Sequence, residues 1–234
     1  MEQVRVLIVE DELLFRDLLA QTLTSGPGYE IVGLADTGRE AIELAHKTRP
    51  DAVIMDIGLA DDMDGIEAAV RIKDERPQTG IVILSAHNDR RYVTSLPLGH
   101  MAGWAYLLKQ TAGSAATVVR AVETSIEGGL MVDPSVISRL RPRLNSRLSR
   151  LTPRVYETLT LLAQGYNNQA IATRMVISVR AVEDNINVLY SELGLRDEPE
   201  INARVAATLI FLEESQNTPE DENGGRGSRA GNSK

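Results

Sequence analysis

Residues 4–11 read Val4-Arg5-Val6-Leu7-Ile8-Val9-Glu10-Asp11, an apolar run that ends in two carboxylates. Residues 52–56 repeat the arrangement, with Ala52-Val53-Ile54-Met55 running straight into Asp56. A short, nearly continuous apolar run bounded by polar residues fits a buried strand. Two such strands in one parallel sheet bring Glu10, Asp11 and Asp56 together at one edge. Crowded carboxylates invite a divalent cation, and Mg²⁺ takes a few carboxylates while keeping waters and phosphate oxygens as its other ligands. The pattern points to phosphoryl transfer, with Asp56 as the group modified.

Two further runs end in groups suited to the same chemistry. Ile81-Val82-Ile83-Leu84 leads into Ser85-Ala86, and Tyr106-Leu107-Leu108 leads into Lys109. A hydroxyl and an ammonium at strand ends can both bind phosphoryl oxygens. An Asp carboxylate is a recognised covalent phosphate acceptor, and a lysine supplies a compact point charge beside it. Strands are expected at residues 4–9, 30–35, 52–55, 80–84 and 104–107, with helices between them and a last helix over about 111–127. Strand and helix in alternation give a parallel α/β sheet, whose ligands bind outside the carboxyl ends of the strands.

On these residues the first half, about residues 3–127, resembles the receiver domain of bacterial two-component response regulators. The resemblance implies a flavodoxin-like, five-stranded parallel sheet of order 2-1-3-4-5. By position it implies Glu10, Asp11, Asp56 and the Gly58 carbonyl as the Mg²⁺ site, Asp56 as phosphoacceptor and Lys109 as the phosphate-pairing lysine. Ser85 becomes the switch hydroxyl and Tyr106 the switch aromatic, with Asp56, Ser85 and Lys109 carrying the chemistry. The loop after Asp56 departs from the family: it runs Ile57-Gly58-Leu59-Ala60-Asp61-Asp62-Met63, and Asp64-Gly65 comes one residue later than usual. A surface loop absorbs one extra residue at little cost. The added acids Asp61 and Asp62 either disfavour phosphorylation or strengthen metal binding, and the sequence leaves both open. Gly58 stands two residues after Asp56, where a phosphohydrolase would need a general acid, so the chain is expected to accept a phosphoryl group without turnover.

Composition bounds the rest. At 234 residues, one or two domains are expected, and 43% hydrophobic content with 4% aromatic supplies a lean but sufficient core. The absence of cysteine removes disulfides and thiolate metal sites. No leader pattern and no bilayer-length apolar stretch is present, so a cytoplasmic protein is expected. The formal charge of -8 argues against broad attraction to nucleic acid while leaving room for a locally basic face. His46, His87 and His100 show no metal-ligand spacing and read as surface or loop residues.

Gly128-Gly129 breaks the alternation, and Asp133-Pro134 reads as a fresh helix start, Asp as cap and Pro in the first turn. Residues 128–148 are therefore expected to form a part-helical linker between a receiver at 1–127 and a second domain at 149–213. Arg139, Arg141, Arg143, Arg147, Arg150 and Arg154 follow one another without an intervening acid. They suit either a solvated hinge or phosphate contacts beside a DNA-binding unit.

In the second domain Leu159, Leu162, Ile171, Met175, Val182, Ile186, Leu189 and Leu193 recur at helical spacings. Gly165 ends a first helix, residues 168–175 form a short second one, and Ser178 caps a third over 179–193 that closes at Gly194. Two helices joined by a tight turn describe a helix-turn-helix. Leu151-Thr152-Pro153-Arg154, Leu161-Leu162-Ala163-Gln164-Gly165, Ile171-Ala172 and Leu193-Gly194-Leu195 are similar to the LuxR-type DNA-binding domain. Joined to a receiver, they make the chain resemble the NarL/FixJ family over nearly its whole length.

That resemblance places Glu183, Asp184 and Asn187 at the major groove, with Arg174 and Arg180 as candidate phosphate contacts. The family pattern Thr-Val-Lys-x-His is replaced here by Ala181-Val182-Glu183-Asp184-Asn185. Carboxylates meet phosphates unfavourably, yet Glu or Asp can accept from cytosine N4, and Asn can pair with adenine. From Leu148 to Leu212 there are six arginines, no lysine and seven acids, short of the basic balance of a typical reader. Val155 replaces the glutamate that usually follows Arg154.

The resemblance implies a phosphorelay: a histidine kinase phosphorylates Asp56, the switch residues alter the outer face of the fourth helix and fifth strand, and the second domain binds promoter DNA as a homodimer. The terminal helix, residues 201–211, is either a dimer seam or packs against its own domain. Residues 214–234, polar and rich in Gly, Asn and Ser, are expected to be disordered. The competing function is a protein-interaction regulator, independent of phosphate, whose acidic third helix does not bind DNA in the usual way.

Overall fold

The computed structural model describes residues 3–60, 63–86, 102–196 and 202–217. The five expected strands form: β1 (Val4–Val9), β2 (Tyr29–Ala35), β3 (Ala52–Asp56), β4 (Gly80–Ser85) and β5 (Trp104–Leu108). They pair in parallel in the order β2-β1-β3-β4-β5. Helices α1 (Leu13–Thr24), α2 (Gly38–Thr48), α3 (Gly65–Glu75) and α4 (Ala115–Ile126) pack on the two faces. Thr37 and Asp64 accept hydrogen bonds from the backbone N–H three residues on, which starts α2 and α3 where they start. The continuous apolar runs follow from burial on both faces: β3, β4 and β5 are buried at every residue.

Residues 128–148 are more structured than a linker reading suggests. Gly128 turns the chain at φ +74°, and the Gly129 carbonyl accepts from the N–H groups of Gly103 and Trp104. A sixth strand, β6 (Leu130–Val132), then pairs in parallel with β5, matching Leu130 to Trp104 and Val132 to Tyr106. Asp133 caps a single-turn helix, α5 (Pro134–Ser138). Strand β7 (Leu140–Pro142) and a 3₁₀ turn at Arg147–Arg150 complete the passage.

Four helices follow: α6 (Pro153–Ala163), α7 (Asn168–Met175), α8 (Val179–Leu193) and α9 (Ala203–Glu214). Each has a side-chain cap, from Thr152, Asn167, Ser178 and Asn202 respectively. Gly194 closes α8 in the left-handed conformation. The turn between α7 and α8 puts Val176 in the same conformation, at φ 56° and 89% exposed, a backbone region in which a β-branched residue is strained.

The terminal helix is not a free seam. Val205, Ala207, Ile210, Phe211 and Leu212 are buried, and α9 packs against α6, α8, β6 and β7 within its own chain. Phe211 meets Tyr156 edge-on at 5.9 Å between ring centroids. Nor do residues 214–217 belong to a structureless tail. Glu214 ends α9, and β8 (Ser215–Asn217) pairs antiparallel with β7. Residues 218–234 lie outside the described segments.

One apolar core unites the molecule. From the face of the sheet that packs α2 and α3 it passes through Leu130, Val132, Ile137 and Leu140 into Leu159, Leu189 and Phe211. The opposite face, under α1 and α4, forms a separate core with Leu19, Leu23, Val118 and Val122.

Candidate functional site

The strand register delivers the acidic edge. Glu10 follows β1 and Asp56 ends β3, and both are almost completely buried, at 0% and 3% exposure. Lys109 follows β5, its N–H held by the Ser85 carbonyl at 2.9 Å. The Lys109 ammonium bridges Glu10 Oε1 at 2.8 Å and Asp56 Oδ2 at 2.9 Å, and lies 5.2 Å from the centre of the Phe15 ring. Burial opposes the lysine's charge, but hydrogen bonds to Glu10 and Asp56, with the attraction of both carboxylates, outweigh it and raise its pKa. Glu10 is also pushed up: burial is the largest cause, the Lys109 hydrogen bond opposes it, and the neighbouring Asp56 charge adds to it.

Backbone groups orient the carboxylates. Gly58 N–H donates to Asp56 Oδ1 at 3.1 Å and Glu12 N–H to Glu10 Oε1 at 3.2 Å. Gly65, the first residue of α3, explains why the Asp64-Gly65 pair matters beyond its place in the loop. A Cβ there would lie 1.8 Å from the Asp56 carbonyl oxygen, so α3 approaches the strand end only because residue 65 lacks a side chain.

Glu10, Asp11 and Asp56 each offer an oxygen, all within 4.8 Å of one another. Glu10 Oε2 is buried and has no hydrogen-bond partner, a condition that persists in native proteins mainly where an ion or water completes the group. The hard oxygen donors, Asp11 at the half-buried rim and the orphaned Glu10 oxygen fit a hydrated divalent cation. Ser85 ends β4 and is buried, while Tyr106 lies wholly buried in β5, in register with Ile83. The structure thus gathers Glu10, Asp11, Asp56, Gly58 and Lys109 into one pocket and puts Ser85 and Tyr106 on the strands beside it. Asp61, Asp62, His87 and His100 lie outside the described residues, as does the segment before β5 where a fourth receiver helix was expected.

At the other end, Arg180, Glu183, Asp184 and Asn187 are exposed on α8. No cation pairs with Glu183 or Asp184 among the described residues. Asn185 turns inward, its Nδ2 donating to Thr158 Oγ1 at 3.2 Å. Arg174, on α7, stacks its guanidinium 3.7 Å from the centre of the Tyr166 ring, and Arg120 of α4 sits 4.1 Å from the same ring. The arginine run divides. Arg147 binds the Glu214 carboxylate at 2.6 Å and the Leu193 carbonyl at 3.0 Å, a structural role. Arg143, Arg150 and Arg154 remain exposed.

Sequence reasoning missed Gly65, Phe15 and Asp133 as parts of this arrangement. Asp133 was legible as a helix cap, but its carboxylate also accepts from Leu108 N–H at 3.0 Å, next to Lys109.

The chain is similar to known proteins over most of its length. The signature of the response regulator receiver domain matches residues 6–118. The response regulator protein VraR of Staphylococcus epidermidis is 34% identical over 198 residues, covering 83% of this chain and 92% of VraR. VraR of Staphylococcus aureus matches to the same extent. Among solved structures, the RcsB response regulator of Salmonella typhimurium, described in terms of conformational dynamism for DNA interaction, superposes with a TM-score of 0.51 at 22% identity. That match covers 91% of this chain and 99% of RcsB and speaks for the fold alone. No helix among the described residues is long and apolar enough to cross a membrane.

Proposed function

Since this chain is a two-component response regulator of the NarL/FixJ family, we infer that a histidine kinase phosphorylates it on Asp56 and that it acts in the cytoplasm as a dimeric, DNA-binding transcription regulator. The observation that carries the reading is the buried Glu10–Lys109–Asp56 bridge beside an orphaned Glu10 oxygen. In this reading residues 1–127 receive the phosphoryl group, residues 128–148 connect, and residues 149–213 read DNA.

An Asp56 carboxylate oxygen bonds to phosphorus as the bond from phosphorus to the kinase's histidine nitrogen breaks, and the imidazole leaves. Gly58 N–H on Asp56 Oδ1 fixes which oxygen is presented. Lys109 exchanges its present carboxylate partners for a phosphoryl oxygen, and the Ser85 hydroxyl takes another. Glu10, Asp11, Asp56 and the Gly58 carbonyl would hold Mg²⁺, which when bound disperses charge on the transferring group. A kinase helix has an obvious seat: Leu13, Leu14 and Leu18 are exposed on α1, directly after the acidic pair. The receiver is modified rather than turning over substrate, as its family implies.

For DNA, Arg180 and the exposed arginines 150 and 154 supply phosphate contacts, Arg174 becomes available if it leaves Tyr166, and Glu183, Asp184 and Asn187 face the bases. The helical unit shares its fold with RcsB, a protein described in terms of DNA interaction. A second reading rests on one observation, the uncompensated Glu183 and Asp184, which suit a basic protein partner as well as a cytosine amino group.

The test is selection of random duplex DNA by the full chain, with and without an acyl-phosphate donor and Mg²⁺, beside Asp56→Asn. A palindromic motif that tightens on phosphorylation in the natural chain alone is the expected result. No motif in any state would turn the assignment to the protein-interaction reading.

A further inference from the structure

Asp133 lies just past β6, wholly buried, and both its oxygens are occupied. Oδ2 accepts from Leu108 N–H at 3.0 Å and from the Thr111 hydroxyl, which flank Lys109. Oδ1 accepts from the Ser135 N–H and hydroxyl, at the start of α5. One carboxylate therefore fastens the loop that carries the phosphate-pairing lysine to the segment that leads out of the receiver. Breaking such a set strands buried donors, so the joint favours discrete arrangements over gradual yielding.

Beyond that joint, the helical unit is gripped at a second place. Arg120 Nε donates to the Gln164 carbonyl at 3.1 Å, and its guanidinium covers Tyr166. Gly165, at φ +77°, fits against Thr124 and Met131 so closely that a Cβ would come within 2.9 Å of Thr124 Oγ1 and 3.0 Å of Met131 Sδ. The β6 strand, which carries Met131 of this grip, leads directly into Asp133.

We propose that Asp133 is the positioning residue that links occupancy of the Asp56 pocket to docking of the helical unit on α4 and β6. The proposal rests on Asp56 as phosphoacceptor. Linkage is reciprocal for binding equilibria, so loosening the dock must alter affinity in the pocket, and must do so through Asp133. Beryllium trifluoride with Mg²⁺, titrated calorimetrically into the full chain, reads the pocket. Tyr166→Ala, which removes the ring under Arg120, loosens the dock and touches nothing in the pocket.

Tyr166→Ala is expected to change beryllofluoride affinity about five-fold or more in the natural chain and by less than about two-fold when combined with Asp133→Asn, where an amide meets donors on both sides. A purely structural role for Asp133 would shift stability without erasing that difference. Thr111→Val, which removes a single donor, serves in the same cycle should Asp133→Asn not fold. Equal changes with and without the Asp133 or Thr111 substitution, or no change in the natural chain, overturn the link alone. If the natural chain does not bind beryllofluoride, the phosphoacceptor assignment falls with it.

Discussion

The two ends of this molecule handle charge in opposite ways. In the receiver pocket, Glu10, Asp56 and Lys109 are withdrawn from water and satisfy one another at 2.8 and 2.9 Å. On α8, Arg180, Glu183 and Asp184 stand in solvent, and no cation within the described chain neutralises the acids. The first set is positioned by strand ends and belongs to the fold. The second is positioned by a helix face, and only a ligand gives it meaning. Substitutions in the pocket should therefore disturb stability and function together, and substitutions on α8 should separate the two.

The largest effect is expected from Gly65→Ala. Its Cβ would collide with the Asp56 backbone, so α3 or the strand end must move, at a cost of about 3 kcal/mol. Chemical denaturation should show the loss, and acyl-phosphate labelling of Asp56 should fail with it. A variant of near-natural stability would show that α3 is not pinned to the pocket.

Lys109→Ala comes next. It leaves two buried carboxylates without their cation, which costs about 3 kcal/mol in the absence of divalent ions, partly restored by Mg²⁺. Because hydrogen bonds and carboxylate attraction raise the lysine pKa against the pull of burial, its stabilising charge is complete below the ordinary lysine value. It is lost only as pH climbs through the raised value. The difference between variant and natural chain should thus persist to about pH 10, and its disappearance near neutrality would contradict the bridge.

A gain is expected at the other end. Val176→Asn relieves a β-branched residue in the left-handed region and should add about 1 kcal/mol, read as a higher melting temperature, without altering the pocket. The smallest stability effect belongs to Glu183→Gln with Asp184→Asn, within about 0.5 kcal/mol. The same pair should raise nonspecific DNA affinity and steepen its salt dependence. If the double variant is markedly destabilised instead, these acids are structural and the contrast between the two ends collapses.

How much of this was legible follows from what each element depends on. The strand ends announce themselves because Val6–Val9 of β1, like β3, β4 and β5, are buried on both faces and so are written as apolar runs. The capped helices are equally local: Thr152, Asn167 and Ser178 each precede the N–H they satisfy by three residues. Strand β6 was hidden because three apolar residues carry no period, and Leu130–Val132 becomes a strand only against the edge of β5. Strand β8 was hidden more completely, since Ser215-Gln216-Asn217 has the composition of a tail and owes its form to Leu140–Pro142. Within the pocket, Glu10, Asp11, Asp56 and Lys109 were readable from position. Gly65 and Asp133 were not, because their roles rest on a close approach and on a hydrogen bond spanning 25 residues.

The β7–β8 ribbon changes how this protein should be cut. Arg147 and Glu214 clasp one another across the base of the helical unit, and Asn217 sits opposite Leu140. A fragment trimmed to 149–213 would discard both partners of that clasp and both strands, baring the side of α9 that β6 and β7 cover. An excised helical unit should therefore begin near residue 139 and run through 217, so that both strands of the ribbon and both partners of the clasp are kept.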